Sequence, residues 1–172
     1  QIIPAGIDLL RFSSNIKPFN KFDDGKLNIL FLGRLEKRKG VSFLIRAFRK
    51  VKDKVRNSRL IIAGDGGLKE NLKRLVRKLN LQDVVFEGYI DERSKPGYYT
   101  SSHLCVFPAI YGESFGIVLI ESLASGKVTV AFANEGYRHV LGGRPKLLVE
   151  NRNIEKLASR IIEFLENKKA YY

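Results

Sequence analysis

Two carboxylates, Glu113 and Glu121, bracket the run Glu113-Ser114-Phe115-Gly116-Ile117-Val118-Leu119-Ile120-Glu121. Val106-Phe107-Pro108 ahead of it reads as the end of a buried strand, and Leu119 to Ser125 continues at helical spacing. The run therefore falls where a parallel strand hands over to a helix, the junction at which open α/β sheets bind ligands. A helix beginning near Ser114 would aim its free N–H groups and the positive end of its dipole at a phosphate or sugar oxygen. Gly116 would let such a ligand approach the backbone. Seven positions separate Ser114 from Glu121, about two helical turns, which puts Glu121 on one face with Ser114 and Ile117 and leaves Glu113 in the loop. The two carboxylates could then grip different parts of one extended ligand, as a sugar nucleotide is. Read alone, both are equally well solvated acids near a helix end.

A second constellation is cationic. Gly33-Arg34-Leu35-Glu36-Lys37-Arg38-Lys39-Gly40 follows the first apolar run, again at a strand-to-helix loop. Arg34 can make a bidentate contact with phosphate oxygens, and Lys39 can serve as a point charge. The run is neither a Walker A loop nor G-x-G-x-x-G, so a basic surface loop stays open as an alternative. Gly64-Asp65-Gly66-Gly67 follows the second strand and suits either a plain turn or a ligand contact. The loop Gly88-Tyr89-Ile90-Asp91-Glu92-Arg93-Ser94-Lys95 offers an apolar platform with hydrogen-bonding groups, suited to a nucleobase, although Asp91 is an equally good helix N-cap.

The elements that must position these loops are regular. Apolar runs at Leu27–Leu32, Leu60–Ala63, Val84–Phe86, Leu104–Phe107, Val128–Phe132 and Lys146–Val149 predict strands. Between them, helical spacing covers Val41–Val55, Leu68–Leu79, Lys95–Ser101, Phe115–Ser125 and Ile154–Glu166. Alternation of this kind predicts an α/β fold: a Rossmann-like three-layer α/β/α domain with about six mostly parallel strands, over residues 26–172. Residues 1–25, with Ile2-Ile3-Pro4-Ala5-Gly6-Ile7-Asp8 and Pro18, read as an interdomain linker outside the sheet.

At 172 residues, 44% hydrophobic and 28% charged, the chain suits one domain or half of a two-domain enzyme. It starts at Gln1 and has no Met, so an excised piece is expected. No apolar run approaches ~18 residues and no secretory signal heads the chain. The single cysteine, Cys105, lies in an apolar run and reads as a buried structural thiol. A net charge of +13 favours anionic partners: a nucleotide diphosphate, or an anionic membrane surface touched peripherally. No zinc spacing, RNP aromatic motif or basic zipper points to nucleic acid.

The motifs, in order, resemble a known family. Ile3-Pro4-Ala5-Gly6-Ile7-Asp8, Arg34 and Lys39 within G-R-L-x-x-x-K-G, Gly64-Asp65-Gly66 and the Glu113-x7-Glu121 pair are arranged as in family 4 retaining glycosyltransferases of the GT-B fold. The match covers nearly the whole chain and looks like the C-terminal, donor-binding domain. Glu113-Ser114-Phe115-Gly116-Ile117-Val118-Leu119 with Gly136-Tyr137-Arg138-His139-Val140-Leu141 is similar to phosphatidylinositol mannosyltransferases, which use GDP-mannose. UDP-linked hexoses are the next expectation.

The resemblance implies roles. Arg34 and Lys39 would hold the diphosphate in the loop opened by Gly33, and Glu113 would bind hydroxyls of the transferred hexose. Glu121 would bind the ribose. The N–H groups of Phe115, Gly116 and Ile117, beside Ser114, would hold phosphate or sugar, while Ile90, Asp91 and Lys95 line the base pocket and Gly64 lies near the phosphates. No Asp-x-Asp metal signature occurs, so Arg and Lys would take the part a divalent ion plays elsewhere. No cofactor beyond the donor sugar nucleotide is expected. The family retains anomeric configuration, and its reaction is drawn as a front-face displacement assisted by the leaving phosphate. Its N-terminal domain, absent here, supplies the acceptor site and a catalytic histidine, so this piece alone is expected to transfer poorly; a cytoplasmic location, peripheral to the membrane's inner face, goes with that reading. Departures are Val128-Thr129-Val130 where many relatives have Pro-Val-Val, and His139 where they have glutamate. A related sugar-nucleotide epimerase and a noncatalytic nucleotide-binding module are the competing readings.

Overall fold

The computed structural model describes residues 6–167; Ile2 to Ala5 of the leading motif lie outside them. Six strands form one sheet: β1 (Leu27–Leu32), β2 (Ser58–Ala63), β3 (Val84–Gly88), β4 (Leu104–Phe107), β5 (Val128–Phe132) and β6 (Leu148–Val149). Their order is β3-β2-β1-β4-β5-β6 and every pairing is parallel. The helices between them are α1 (Val41–Lys54), α2 (Lys69–Lys78), α3 (Lys95–Thr100), α4 (Ile117–Ala124), α5 (Glu135–Leu141) and α6 (Ile154–Glu166). α1 packs with α2 and α6, while α4 packs with α3 and α5. The sheet is thus covered on both faces, as the near-continuous burial of β1, β2 and β4 requires.

This is the expected Rossmann-like layering, and its strand order reverses between β1 and β4 (Ile29 beside Leu104, Leu30 beside Cys105). A crevice opens at such a reversal, outside the carboxyl ends of the strands. The loops after β1 and β4 flank it.

Three local features depart from the sequence reading. α4 begins at Ile117 and not near Ser114, because Gly116 adopts φ 67°, ψ 54° as its N-cap and a left-handed residue cannot continue a right-handed helix. Ser114 and Phe115 therefore belong to the loop with Glu113. β6 is only two residues long because Pro145–Leu147 forms a 3-10 turn where the strand was expected to start. α5 was not foreseen; Asn134 caps it by accepting from the Tyr137 N–H at 2.9 Å.

The segment before β1 adds no strand but contributes to the core. Phe12 and Phe22 are buried, the Asn28 amide donates to the carbonyls of Phe22 and Ser101, and Phe19 meets Tyr98 edge-on. His103 is structural: its Nδ1 accepts from the Asn28 N–H at 3.0 Å. Cys105 is fully buried, and burial pushes its thiol up.

At the amino end of the sheet Asp83, at φ 60°, is clasped by Lys26 and, at 2.9 Å, by Lys52. The bond from Lys26 is the main cause of a carboxyl pKa held below its usual value of 3.8, with Lys52 adding to it. A depressed carboxylate contributes stability that is present above the unfolded pKa and is lost as pH falls through the folded one. Asp83→Asn tolerates the same backbone conformation and should flatten the acid limb of a urea-midpoint profile between pH 5 and pH 2, with little change in the profile's shape above pH 6.

Candidate functional site

The loop after β4 is gripped from both sides by backbone contact. Gly40, at φ 68°, closes the β1–α1 loop so tightly that a Cβ on it would lie 1.9 Å from the Pro108 carbonyl oxygen. On the opposite side a Cβ on Gly136 would lie 1.9 Å from the Glu113 carbonyl oxygen. Side chains complete the grip: Asn134 donates to the Ala109 carbonyl and Asn151 to that of Ile110, each at 2.8 Å. Arg38 donates to the Gly112 carbonyl at 3.1 Å.

Held in this way, Glu113 turns inward with its side chain 9% exposed. Its Oε1 accepts from Lys39 at 2.6 Å and from Arg38 at 2.8 Å. Arg38 also bonds Glu36 at 2.9 Å, and Glu36 pairs with Arg34 at 2.9 Å. Lys39 and Glu113, expected to share a site, are brought into direct contact. Arg34 reaches them only through Glu36 and Arg38, with its side chain 69% exposed and turned toward solvent. Arg38 is the residue that sequence reasoning missed. It sits in the same cationic run, and nothing in the spacing says which cation folds inward.

Glu121 lies on α4 and is 4% exposed. The Tyr99 hydroxyl donates to its Oε2 at 2.7 Å, and Lys95 lies 3.6 Å from Oε1 while bonding Glu92 at 2.6 Å. Burial first, and then the Glu121 charge, raise the Tyr99 phenol well above its usual pKa, so it stays protonated and holds the carboxylate. Lys95 and Tyr99 thus meet Glu121 on opposite oxygens, and Tyr99 was not singled out by the sequence. Ile117, expected on the same face, is half-exposed at the start of α4.

The remaining expected residues split by role. Asp91 accepts from the Ser94 N–H at 2.8 Å and from the Ser94 hydroxyl at 2.9 Å, which ties the turn ahead of α3, whose N-cap is Ser94 and not Asp91. These bonds lower its pKa. Ile90 is half-buried against the core. Gly64 packs against Gly33, where a Cβ would lie 1.9 Å from the Gly33 carbonyl oxygen, so its glycine is explained by the crossing of two turns. Gly116 likewise faces the Tyr137 ring, 2.6 Å from a Cβ position, so packing adds to its left-handed φ in favouring a glycine there. Beside Ser114, a polar cleft of about 650 Å³ runs between the Glu113 loop and the start of α5, lined also by His139 and Asn151. The His139 Nδ1 bonds the Glu135 carbonyl at 2.9 Å.

Comparison with known proteins decides the family. The model for glycosyl transferases group 1 matches residues 12–171. The chain belongs to that family. The phosphatidyl-myo-inositol mannosyltransferase of Mycobacterium leprae is 34% identical over 167 residues, covering 96% of this chain and 44% of that protein. Among solved structures, the C-terminal domain of a group 1 glycosyl transferase from Francisella tularensis superposes with a TM-score of 0.85 at 22% identity, covering 97% and 91% of the two chains. An Anabaena protein crystallised with UDP and glucose gives a TM-score of 0.83 at 21% identity over 99% of this chain and 48% of that one. These solved structures establish the fold: a GT-B C-terminal domain. The chain spans less than half the length of the first curated relatives it matches, from 30% to 44%.

Two substitutions test the geometry. Gly136→Ala places a methyl group against the Glu113 carbonyl and should cost about 1–3 kcal/mol by overpacking, read as a lower urea midpoint. Tyr99→Phe strips the buried Glu121 of its donor and should cost about 1.5–3 kcal/mol, the range for a hydrogen bond to a charged group; an unchanged midpoint would mean that Glu121 does not depend on it.

Proposed function

We propose that this chain is the donor-binding half of a retaining hexosyltransferase, moving a hexose from a nucleotide-diphosphate sugar to a lipid or glycan acceptor. The observation that carries the reading is the pair of buried carboxylates at one sheet edge: Glu113 locked to Lys39 and Arg38, and Glu121 locked to Tyr99. A sugar nucleotide has two polyols, hexose and ribose, separated by a diphosphate. Two fixed acceptors with cations beside one of them match that sequence of groups.

The chemistry follows from charge. As the hexose leaves, negative charge grows on the diphosphate. Fixed cations stabilise it without reorganising, and stabilisation that increases toward the transition state is what lowers the barrier. Lys39 and Arg38 are preset by Glu113, and Arg34 is exposed enough to swing onto a phosphate. Glu113 orients the hexose, Glu121 the ribose, and Ile90, Asp91 and Lys95 flank the base. The N–H groups of Phe115, Gly116 and Ile117 supply neutral donors near the phosphates.

Mannose from GDP-mannose is the favoured donor, on the identity to the mycobacterial mannosyltransferase over nearly the whole chain. A UDP-linked hexose is the second choice, on the likeness to the Anabaena fold. Acceptor binding and turnover belong to a partner half of the same protein, and the basic surface suits a cytoplasmic enzyme touching an anionic membrane.

Calorimetric titration with GDP, UDP, ADP and their hexose conjugates tests this. Saturable binding of one nucleotide class, weakened about tenfold or more by Arg34→Ala and by Glu121→Ala, is expected for lost charge-assisted contacts. The chain alone should transfer no sugar, whereas the protein with both halves should. Binding indifferent to both substitutions would overturn the assignment.

A further inference from the structure

Arg38 spends its guanidinium inside the protein. Nε donates to Glu36 at 2.9 Å, while Nη1 donates to Glu113 Oε1 at 2.8 Å and to the Gly112 carbonyl at 3.1 Å. Its main chain joins in, because the Arg38 carbonyl accepts from the Ile110 N–H at 2.8 Å. A Cβ on Gly112, at φ 71°, would stand 3.6 Å from Arg38 Cδ, so the aliphatic stem lies along that residue as well. One residue of the β1–α1 loop thus holds the β4–α4 loop at Ile110, Gly112 and Glu113.

The nitrogens left over decide what else Arg38 can do. A guanidinium grips a phosphate through two neighbouring nitrogens, Nε with Nη2 or Nη1 with Nη2. Each of these pairs already has one member taken, by Glu36 or by Glu113 and Gly112, and only Nη2 is without a bond among the described residues. The Arg38 side chain is 23% exposed, against 69% for Arg34. Arg34 can turn onto a diphosphate at small cost. For Arg38 the same turn would strip a buried carboxylate of a partner, which is strongly unfavourable.

Lys39 does not duplicate this role. Its ammonium meets Glu113 Oε1 at 2.6 Å as a compact charge on a flexible stem, without a fixed plane. It neutralises the carboxylate but does not tie it to the neighbouring peptide. Arg38 does, since a single nitrogen of a rigid plane bonds both the Glu113 carboxylate and the Gly112 carbonyl.

We infer that Arg38 is a positioning residue for the sugar: it acts through Glu113, setting the carboxylate that receives the hexose, while its own bonds stay off the diphosphate. The inference rests on the donor-binding reading above and divides the work among its cations. Arg34 and Lys39 face the diphosphate, and Arg38 adds its charge to the field there while holding the sugar-binding group.

Calorimetry on Arg38→Lys separates these roles, because lysine keeps the charge and loses the fork. The ligands are GDP-mannose with GDP, and UDP-glucose with UDP, taking whichever pair the wild-type chain binds. Affinity for the sugar nucleotide should fall about tenfold or more, the range for a bond to a charged group, with the free diphosphate held within about twofold. Arg34→Ala should instead weaken both ligands alike. In a Glu113→Gln background, Arg38→Lys should cost no more than about a further twofold, since residues acting as one unit are not additive.

Wild-type affinity for both ligands in Arg38→Lys would overturn the inference, because charge alone would then suffice. An equal loss for both would place Arg38 on the diphosphate and overturn it too, as would a full loss repeated in the Glu113→Gln background. If Arg38→Lys is too unstable to titrate, Glu36→Gln, which weakens the outer anchor of Arg38, decides: a loss of about threefold confined to the sugar nucleotide is expected, and no loss or an equal one overturns the role. A wild-type chain that binds neither pair would bring down the donor-binding reading itself, and this role with it.

Discussion

Backbone-to-backbone contact around the β4–α4 loop is the constraint on which the rest of the site depends. Gly40 presses on Pro108 from one side and Gly136 on Glu113 from the other, each without room for a methyl group. The carbonyls of Ala109, Ile110 and Gly112 are then taken by Asn134, Asn151 and Arg38. A loop at a sheet edge would ordinarily lose its peptide dipoles to water. Here its polar groups are spent on three different elements, so the loop is rigid before any ligand arrives, and preorganised polar groups are what electrostatic catalysis requires.

That rigidity determines how charge is arranged. Glu113 draws Lys39 and Arg38 onto one of its oxygens, which keeps two cations from repelling one another and fixes both near the β1–β4 crevice. Glu36 repeats the device further out, holding Arg38 on one oxygen and Arg34 on the other. Charge alternates along the chain of contacts Arg34, Glu36, Arg38, Glu113, Lys39, and the cations outnumber the anions by one. An anionic ligand therefore meets a positive but not strongly self-repelling surface. The innermost members are screened least from a bound ligand, because effective charge interaction strengthens as water is excluded.

Much of this was legible in the residues. The strands and most helices follow from apolar spacing, and the loops after β1 and β4 announce themselves through glycine, charge and position. What escaped had physical reasons. The start of α4 depends on the left-handed Gly116, and a glycine in sequence does not reveal its φ. α5 was missed because Gly136 depresses helix propensity just where tertiary contact demands it; its N-cap Asn134 followed by Glu135 was the available signal. Arg38 could not be told from Arg34 by spacing, since the inward cation is selected by the direction of the 3-10 turn at Lys37–Lys39. Tyr99 was not singled out by the sequence: its ring is core, and only its hydroxyl on Glu121 separates it from other buried rings.

The surroundings of the site bear on why a second half would be needed. Both carboxylates are buried within this domain. Arg34, by contrast, extends into solvent, and Tyr89, Tyr111 and Ile117 stand exposed on the loops and helix start at the same edge. On the donor-binding reading, a closing partner half would exclude water from the crevice, strengthen the cations' hold on the leaving diphosphate as the local dielectric falls, and restrict Arg34 to the ligand. On that reading orientation would reside in this domain, and closure would create the low-dielectric enclosure that makes its charges effective.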